Sequence, residues 1–573
     1  MKVAPESVFD VLLRLRDYFL GTETVRNNDE PLRSEVFSAE QMILHGKTVA
    51  RSHVLSKRKY PNQLLKRLEE NEVALLEVRN LLVNTIREGK TITPAADWLL
   101  DNFYLIEEQV VLARRHLPKG YNDSLPFLEQ GSRSGMPRVY DVVLEIISHS
   151  DGRVDINNLS SFVSSYQSIS ILTLGELWAI PIMLRLGIIE NLRRVAGKIA
   201  LGIVDQNLAD YWADKMMATI ESDSANVVLT IADMARSKPV LDSSFVAGFI
   251  RKLQAKGPAL ALPLTWMEQQ LSRLGENSND LIREENQKQA TDQVSVSNSI
   301  NTLRFIGATD WREFVETLSI VEQILRRDPS GTYASMDFAT RDRYRHVVES
   351  LSKRSHLSET EIAEKIVNLT EQNRRSNEHG QEKRSHIGYY LIDKGLKQIE
   401  DAIAANYTAK QKLTNIIKLA PVSCYISSII VLAAAITFGL CYVAFTHGIY
   451  GKLQTFAISL LFIACATHLS VSLVNWLSTL WVKPVLLPRM DFSKGIPSEC
   501  RTLVAIPTML LSRRYIEELV EALEIRFLAN RENHVHFCPL TDFADADTET
   551  LPEDNDLLIF ISEAIEGLNK KYA

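Results

Sequence analysis

The sequence predicts a mainly α chain in three parts. A cytoplasmic helical region occupies 1–405, a two-helix transmembrane hairpin 406–483, and the incomplete start of an α/β domain 484–573. Three observations carry this. Between Lys418 and Lys483 the one charged residue is Lys452. Before that stretch, apolar residues recur at three- and four-residue spacing with charged residues between them, the pattern of amphipathic helices. After it, two short β-branched runs alternate with two helical patterns, and strand–helix–strand–helix order implies a parallel sheet.

The N-terminus has no apolar signal core. Residues 11–20 are interrupted by Arg14, Arg16 and Asp17, so they read as an amphipathic helix. Leu64, Leu65, Leu68, Val73, Leu75, Leu76, Val78, Leu81 and Leu82 recur at mixed three- and four-residue spacing and mark a helix there. A second covers 97–115 behind Thr93-Pro94, since proline suits a first helical turn. Breakers follow at 118–121 and 131–137. Further helices are read at 158–166 and 174–194. The latter is apolar enough to be buried and carries Pro181 as a possible kink. Its Glu176, Arg185, Glu190 and Arg193 argue against a membrane span. Residues 274–298 are polar, a linker or an exposed helix, and composition does not choose. Ser358-Glu-Thr-Glu ahead of Ile362 fits a capping box. Residues 373–384 are charged and poor in apolar residues, and 391–418 reads as a helix running into the membrane.

Residues 419–451 and 453–482 contain no Asp, Glu, Lys or Arg. A helix needs about 20 apolar residues to span the hydrocarbon core, and both runs exceed that. Spans are placed at about 420–446 and 454–482, joined by a turn near Gly448–Lys452. Lys410, Lys412 and Lys418 precede the first span, and Lys483, Arg489, Lys494 and Arg501 follow the second. Excess Lys and Arg marks the cytoplasmic side, so both soluble parts sit inside and the turn outside. Tyr442, Tyr450, Trp476 and Trp481 lie toward the span ends, where such rings favour the interface.

Beyond the hairpin, 502–509 reads as a buried strand broken by Pro507, 515–528 as a helix, 535–542 as a second strand and 552–572 as a second helix. Two strands do not complete a sheet, so the chain is expected to stop within a domain.

The chemistry is sparse. No GxxxxGK[ST], GxGxxG, HExxH or GxSxG occurs. The 64 basic and 71 acidic residues give a net charge of −7, which does not favour nucleic acid as a partner. The five cysteines form no CxxC pair, so neither a disulfide framework nor a zinc site is suggested, and a reducing compartment suits them. Ligands of open α/β sheets bind beyond the carboxyl ends of the strands. That position holds Pro507-Thr508 and Asp542. Thr508 and Asp542 are therefore the candidate nucleotide-sugar contacts, and a turn or cap aspartate is the plainer reading of Asp542. Asp545 and Asp547 read as a solvated loop and no metal ligands are assigned. Trp98, Asp101, Asn102, Tyr104, Glu107 and Glu108, with Arg138, Tyr140, His149, Asp151, Glu176, Trp178 and Arg194, form a polar-aromatic set. It is either a docking or carbohydrate-contacting surface or a helical core with its carboxylates paired to arginine.

Several segments resemble the cyclic β-1,2-glucan synthases. They are Ile92-Thr-Pro-Ala-Ala-Asp-Trp-Leu-Leu-Asp-Asn-Phe, Leu117-Pro-Lys-Gly-Tyr, Gly135-Met-Pro-Arg-Val-Tyr and Leu174-Gly-Glu-Leu-Trp-Ala before the hairpin. After it come Arg489-Met-Asp-Phe-Ser-Lys-Gly-Ile-Pro, Thr502-Leu-Val-Ala-Ile-Pro-Thr-Met-Leu, Glu521-Ala-Leu-Glu, Leu528-Ala-Asn-Arg and Leu540-Thr-Asp-Phe. The resemblance implies a large bacterial inner-membrane enzyme with a GT-A-like transferase domain. UDP-glucose would be its donor and Mg or Mn its metal, followed by further spans and a phosphorylase domain. Only the first part is matched, so this chain is expected to bind none of these cofactors, to lack catalytic residues and to be inactive alone. Its partners would be the lipid bilayer and the remaining synthase chain. The alternative is a membrane-anchored helical scaffold or regulatory subunit for a separately encoded synthase. A transporter component is disfavoured, because no charge lies inside either span.

Overall fold

The computed structural model describes residues 13–14, 16, 31–56, 58, 60–61, 63–117, 125–131, 133–254, 260–375, 382–405, 420–447, 452–481, 484, 486–548 and 551–572. Among these the chain is mainly α, with 21 helices, 73% helix and few strands. It divides into two compact units, Met1–Ile324 and Leu325–Ala573.

The first unit is a helical body. Its helices are α1 (Ala39–Ser52), α2 (Leu64–Arg87), α3 (Pro94–Asp101), α4 (Phe103–His116), α5 (Arg138–His149), α6 (Ile156–Gln167), α7 (Leu174–Ser222), α8 (Val227–Ser237), α9 (Ser243–Gln254), α10 (Ala261–Leu274), α11 (Ser278–Ala308) and α12 (Trp311–Leu318), with α13 (Ile320–Leu325) at its end. A two-residue antiparallel pair, β1 (Leu55–Ser56) with β2 (Phe127–Leu128), closes one loop.

The axis of this body is α7, 49 residues long. It starts at a capping box: Glu176 N donates to Thr173 Oγ1, and Thr173 N donates to Glu176 Oε2. Sequence reading ended this helix near Arg194, but it continues 28 residues further as helix to Ser222 because Val195, Ile199, Ile203, Leu208 and Trp212 keep it buried. It runs through Pro181 without interruption. Helices α2, α4, α5, α9 and α11 pack around it, and a helix apolar on all sides is a core helix.

Three further readings are corrected. The helix placed at 97–115 is two, α3 and α4, divided at Asn102. There the side-chain amide donates to Trp98 O, and Oδ1 accepts from Arg304 Nη2 at 2.6 Å. The polar stretch 274–298 is helix from Ser278, exposed on one face as one of the two readings had it, but its other face packs on α3, α7 and α9 through Leu281, Asp292, Ser295, Val296 and Ser299. Small hydroxyl side chains let helices approach closely, a packing mode that an apolar count does not register. The helix expected over 391–418 is interrupted at 393–395 between α16 (Ile387–Ile392) and α17 (Leu396–Ala402), and 406–419 lie outside the described residues. So do 118–121 and most of 11–20.

In the second unit, α14 (Phe338–Ser352) and α15 (Glu359–Arg375) precede α16 and α17. The capping box of α15 is present: Glu361 N donates to Ser358 Oγ, and Ser358 N donates to Glu361 Oε2 at 2.8 Å. Then come α18 (Pro421–Thr446) and α19 (Lys452–Trp481). Both are long and apolar enough to cross a membrane. α18 has no buried residue, and α19 buries only a few, among them Ala466, Ser470 and Val474. They pack as an antiparallel pair, Tyr425 Oη donating to Asn475 Oδ1 at 2.7 Å and Cys441 meeting Ser459 at 3.3 Å. Tyr442 and Trp476 are exposed on the hairpin surface. The turn at 448–451 lies outside the described residues.

The tail is β3 (Thr502–Leu510), α20 (Arg513–Ala529), β4 (Val535–Phe543) and α21 (Asp554–Tyr572). The strands pair in parallel, Thr502 with Val535 through Leu510 with Phe543, as the element order predicts. Pro507 does not break β3. It sits in register with Leu540 inside the ladder, which a strand at a sheet edge tolerates. A small core of Leu510, Ile516, Leu557 and Ile561 joins strands to helices, while Leu503 and Leu540 stay over 60% exposed.

Candidate functional site

The tail carries the residues singled out for nucleotide-sugar contact. Thr508 and Asp542 both lie near the carboxyl ends of the parallel strands, the ligand-binding end of such sheets. The register sets Thr508 opposite Thr541 and Asp542 opposite Met509. Successive side chains alternate faces, so Thr508 and Asp542 project to opposite faces of the sheet. The Thr508 hydroxyl is buried without a hydrogen-bond partner among the described residues. Asp542 is exposed and its Oδ1 accepts from Phe543 N at 2.9 Å, the local bond that aspartates make in turns. Asp545 and Asp547 are exposed in the following loop. Among the described residues the tail gathers no carboxylate cluster that could hold a diphosphate-bound metal, so the implied Mg or Mn has no ligand set here.

In the first unit the polar-aromatic set separates. Trp98 and Tyr104 are exposed, but its charged members include buried ion pairs. Arg138 and Glu176 are 2% and 0% exposed, with Arg138 Nε donating to Glu176 Oε1 at 2.7 Å. Glu190 is the hub of a second group. It accepts from Arg67 through both oxygens at 2.6 Å, from Arg194 at 2.8 Å and from Asn71 at 3.2 Å. Burial works against its charge, but Arg67, Arg194 and Arg193 outweigh that and hold its carboxyl well below the usual glutamate range. Tyr140, fully buried beside this group, has its phenol pushed up by burial. The reading of arginine-paired carboxylates in a helical core is therefore met at Glu176, and Glu190, outside the set named from sequence, repeats it.

Sequence reading missed two groups. Beside α7 a cleft of about 460 Å³ is lined by Arg16, Lys198, Asp205, Asp242, Glu284 and Lys288, among others. Burial, together with Asp242, pushes Asp205 up to about 7, against its 2.7 Å pair with Arg16. The other group joins α1 to α5 through His45, His53, Asp141, Glu145 and His149. Glu145 and His149 stand at i,i+4, the spacing that faces one side of a helix; that pair was the available signal. Their partner His45 is 100 residues away from Glu145, which no local pattern reveals.

No family model matches the chain. Against curated proteins, 548 residues, 95% of this chain, align at 28% identity with the cyclic β-(1,2)-glucan synthase NdvB of Rhizobium meliloti (strain 1021). The chain is thus similar to a cyclic β-(1,2)-glucan synthase along nearly its whole length. It spans 19% of the length of that relative. The match runs across both units, hairpin and tail included, so the similarity does not rest on one shared motif.

Proposed function

We propose that this chain is the membrane-anchored N-terminal portion of a bacterial cyclic β-1,2-glucan synthase, a UDP-glucose-dependent glucosyltransferase, and that alone it transfers no glucose. The alignment over 95% of the chain is the observation that carries this reading. The tail would then be the opening β–α–β–α of a GT-A-like domain, with Asp542 and Thr508 its nucleotide-sugar contacts. An inverting transfer needs a carboxylate base at the acceptor and cations at the diphosphate, and the described tail assembles neither.

The exposed apolar side chains of the tail (Leu503, Leu511, Ile525, Leu540 and Ile559) support completion by further protein. That protein would be the remaining synthase sequence, in the same chain or as a separate one served by a helical scaffold. The two apolar helices support reading the chain as anchored in the cytoplasmic membrane. Backbone pairing holds 335–337 to 489–491: Asp337 N donates to Arg489 O and Asp491 N to Ser335 O. This pairing supports the reading that the chain before the first span and the chain after the second lie on one side, as do the flanking Lys and Arg.

Purified in detergent with UDP-glucose and Mg²⁺ or Mn²⁺, the chain is expected to release no UDP and form no glucan. Supplying the rest of a family synthase in trans should restore β-1,2-glucan only when this chain is present. Turnover by the chain alone would overturn its inactivity, and restoration without it would overturn its role.

A further inference from the structure

We propose that His45, Glu145 and His149 form a binding site for a divalent transition-metal ion of the zinc type. The three offer two imidazole nitrogens and a carboxylate oxygen, all within 4.8 Å of one another. Bonds of about 2.0–2.1 Å in a tetrahedral shell put ligand atoms roughly 3.4 Å apart. Here Glu145 Oε2 is 2.9 Å from His45 Nε2 and 3.7 Å from His149 Nε2. These two separations straddle that value, and the two histidine nitrogens lie within 4.8 Å of each other, so modest side-chain shifts would close the set around an ion.

The surroundings orient each ligand as metal sites require. The Nδ1–H of His149 donates to the Glu35 carbonyl at 2.8 Å. A carbonyl only accepts, so this bond puts the proton on Nδ1 and leaves the lone pair on Nε2. That Nε2 is too far from Glu145 for a hydrogen bond. The ring is further fixed by Phe37, stacked at 3.9 Å and 11°. Phe37 is held there by its own N–H to His149 O and by Ser34 N to Ser148 O. Glu145 gives its other oxygen, Oε1, to Arg133 Nη1 at 2.7 Å, leaving Oε2 for the two histidines. Arg133 also pairs with Asp141, which accepts from His53 at 2.9 Å. Hydrogen-bonded outer partners that fix tautomer and carboxylate orientation are the usual second shell of a metal site.

Backbone architecture sets the third ligand. A Cβ on Gly46 would lie 2.3 Å from Ser165 Oγ and 3.0 Å from Phe162 O. Glycine therefore lets α1 lie close on α6, which brings His45 over the Glu145–His149 face of α5. The side chains of His45, Glu145 and His149 are 21%, 21% and 12% exposed, so an ion can enter from solvent and keep water as a fourth ligand. With Asp141 and Glu145 ionised and Arg133 charged, the group carries one net negative charge for a dication to offset. Nitrogen and oxygen donors without thiolate suit zinc-like ions over calcium or magnesium. The ion would clip 34–37 and α1 to α5 across about a hundred residues of sequence.

The test uses the full-length, untagged chain in detergent, stripped with EDTA and dialysed against ZnCl₂ alone. Bound zinc is counted by elemental analysis, and Co²⁺ substitution is read by visible absorption. One ion per chain is expected, with tetrahedral-type Co²⁺ bands and a zinc-dependent rise in the unfolding midpoint. His149→Ala should weaken binding at least tenfold. So should His45→Gln, which keeps a donor toward Glu145 and hence the fold. Helicity by circular dichroism identifies a variant that has not folded. Zinc retained at wild-type stoichiometry by a folded His45→Gln/His149→Ala protein would overturn the site, and so would a wild-type chain that binds no zinc.

Discussion

Glu190 shows most sharply how single residues hold this protein together. Its carboxylate is 1% exposed and draws Arg67 of α2 onto α7, with Arg193 and Arg194 from its own helix alongside. A buried ion pair adds little over an apolar pair, but removing one partner strands the rest. Glu190→Ala is therefore expected to destabilise the first unit by about 3 kcal/mol, read as a lowered unfolding midpoint. The sign of its pH dependence follows from a folded pKa held below the unfolded one. The contribution is complete above the ordinary glutamate value near 4.5 and is lost only as pH falls below it toward the folded pKa. Glu190→Gln should flatten the loss of stability of this unit below pH 4.5. An unchanged acid slope would assign that loss to other carboxylates. Glu190 and Arg193 were singled out from sequence on one helix, but Arg67 was not, because α2 and α7 are joined only by the fold.

At the scale of elements, legibility followed the physical signal available. The hairpin was read nearly to its ends because an uncharged run of spanning length is a compositional fact that needs no packing partner. The parallel β–α–β–α order of the tail was read because strand and helix periodicities differ. Its register was not, and register is what sends Thr508 and Asp542 to opposite faces. Helix α11 was illegible because it packs with serine and aspartate. The α1–α6 contact was invisible because its determinant is an absent side chain. Two glycines separate these cases. Gly46→Ala gains about 1 kcal/mol of helix propensity but drives a methyl into the Phe162 carbonyl and Ser165, and overpacking costs about 1–3 kcal/mol. Gly197, within α7, has nothing within 4 Å of its would-be Cβ, so Gly197→Ala should stabilise by about 0.5–1 kcal/mol. Thermal midpoints of the pair should move in opposite directions. A Gly46→Ala protein at least as stable as wild type would show that α1 and α6 separate without penalty.

For the whole molecule, the deciding question is which side of a bilayer each part occupies. Two lines bear on it independently. Lys410, Lys412 and Lys418 before α18, and Lys483, Arg489, Lys494 and Arg501 after α19, outnumber the single Lys452 of the turn, which puts the turn outside. The pairing of 335–337 with 489–491 comes from backbone geometry and uses no charge count, and it supports the same proposed placement of both flanks in one compartment. A hairpin meets both conditions, whereas a single crossing by either helix would tear that pairing apart. A cysteine placed at Tyr450, in a background with the five native cysteines replaced, should react with a membrane-impermeant maleimide in intact cells. Cysteines placed at the exposed Lys353 and Ser493 should react only after permeabilisation. Labelling of Ser493→Cys from outside with Lys353→Cys protected would mean that one of the two apolar helices does not cross. The hydrogen bonds from Asp337 to Arg489 and from Asp491 to Ser335 could not then form.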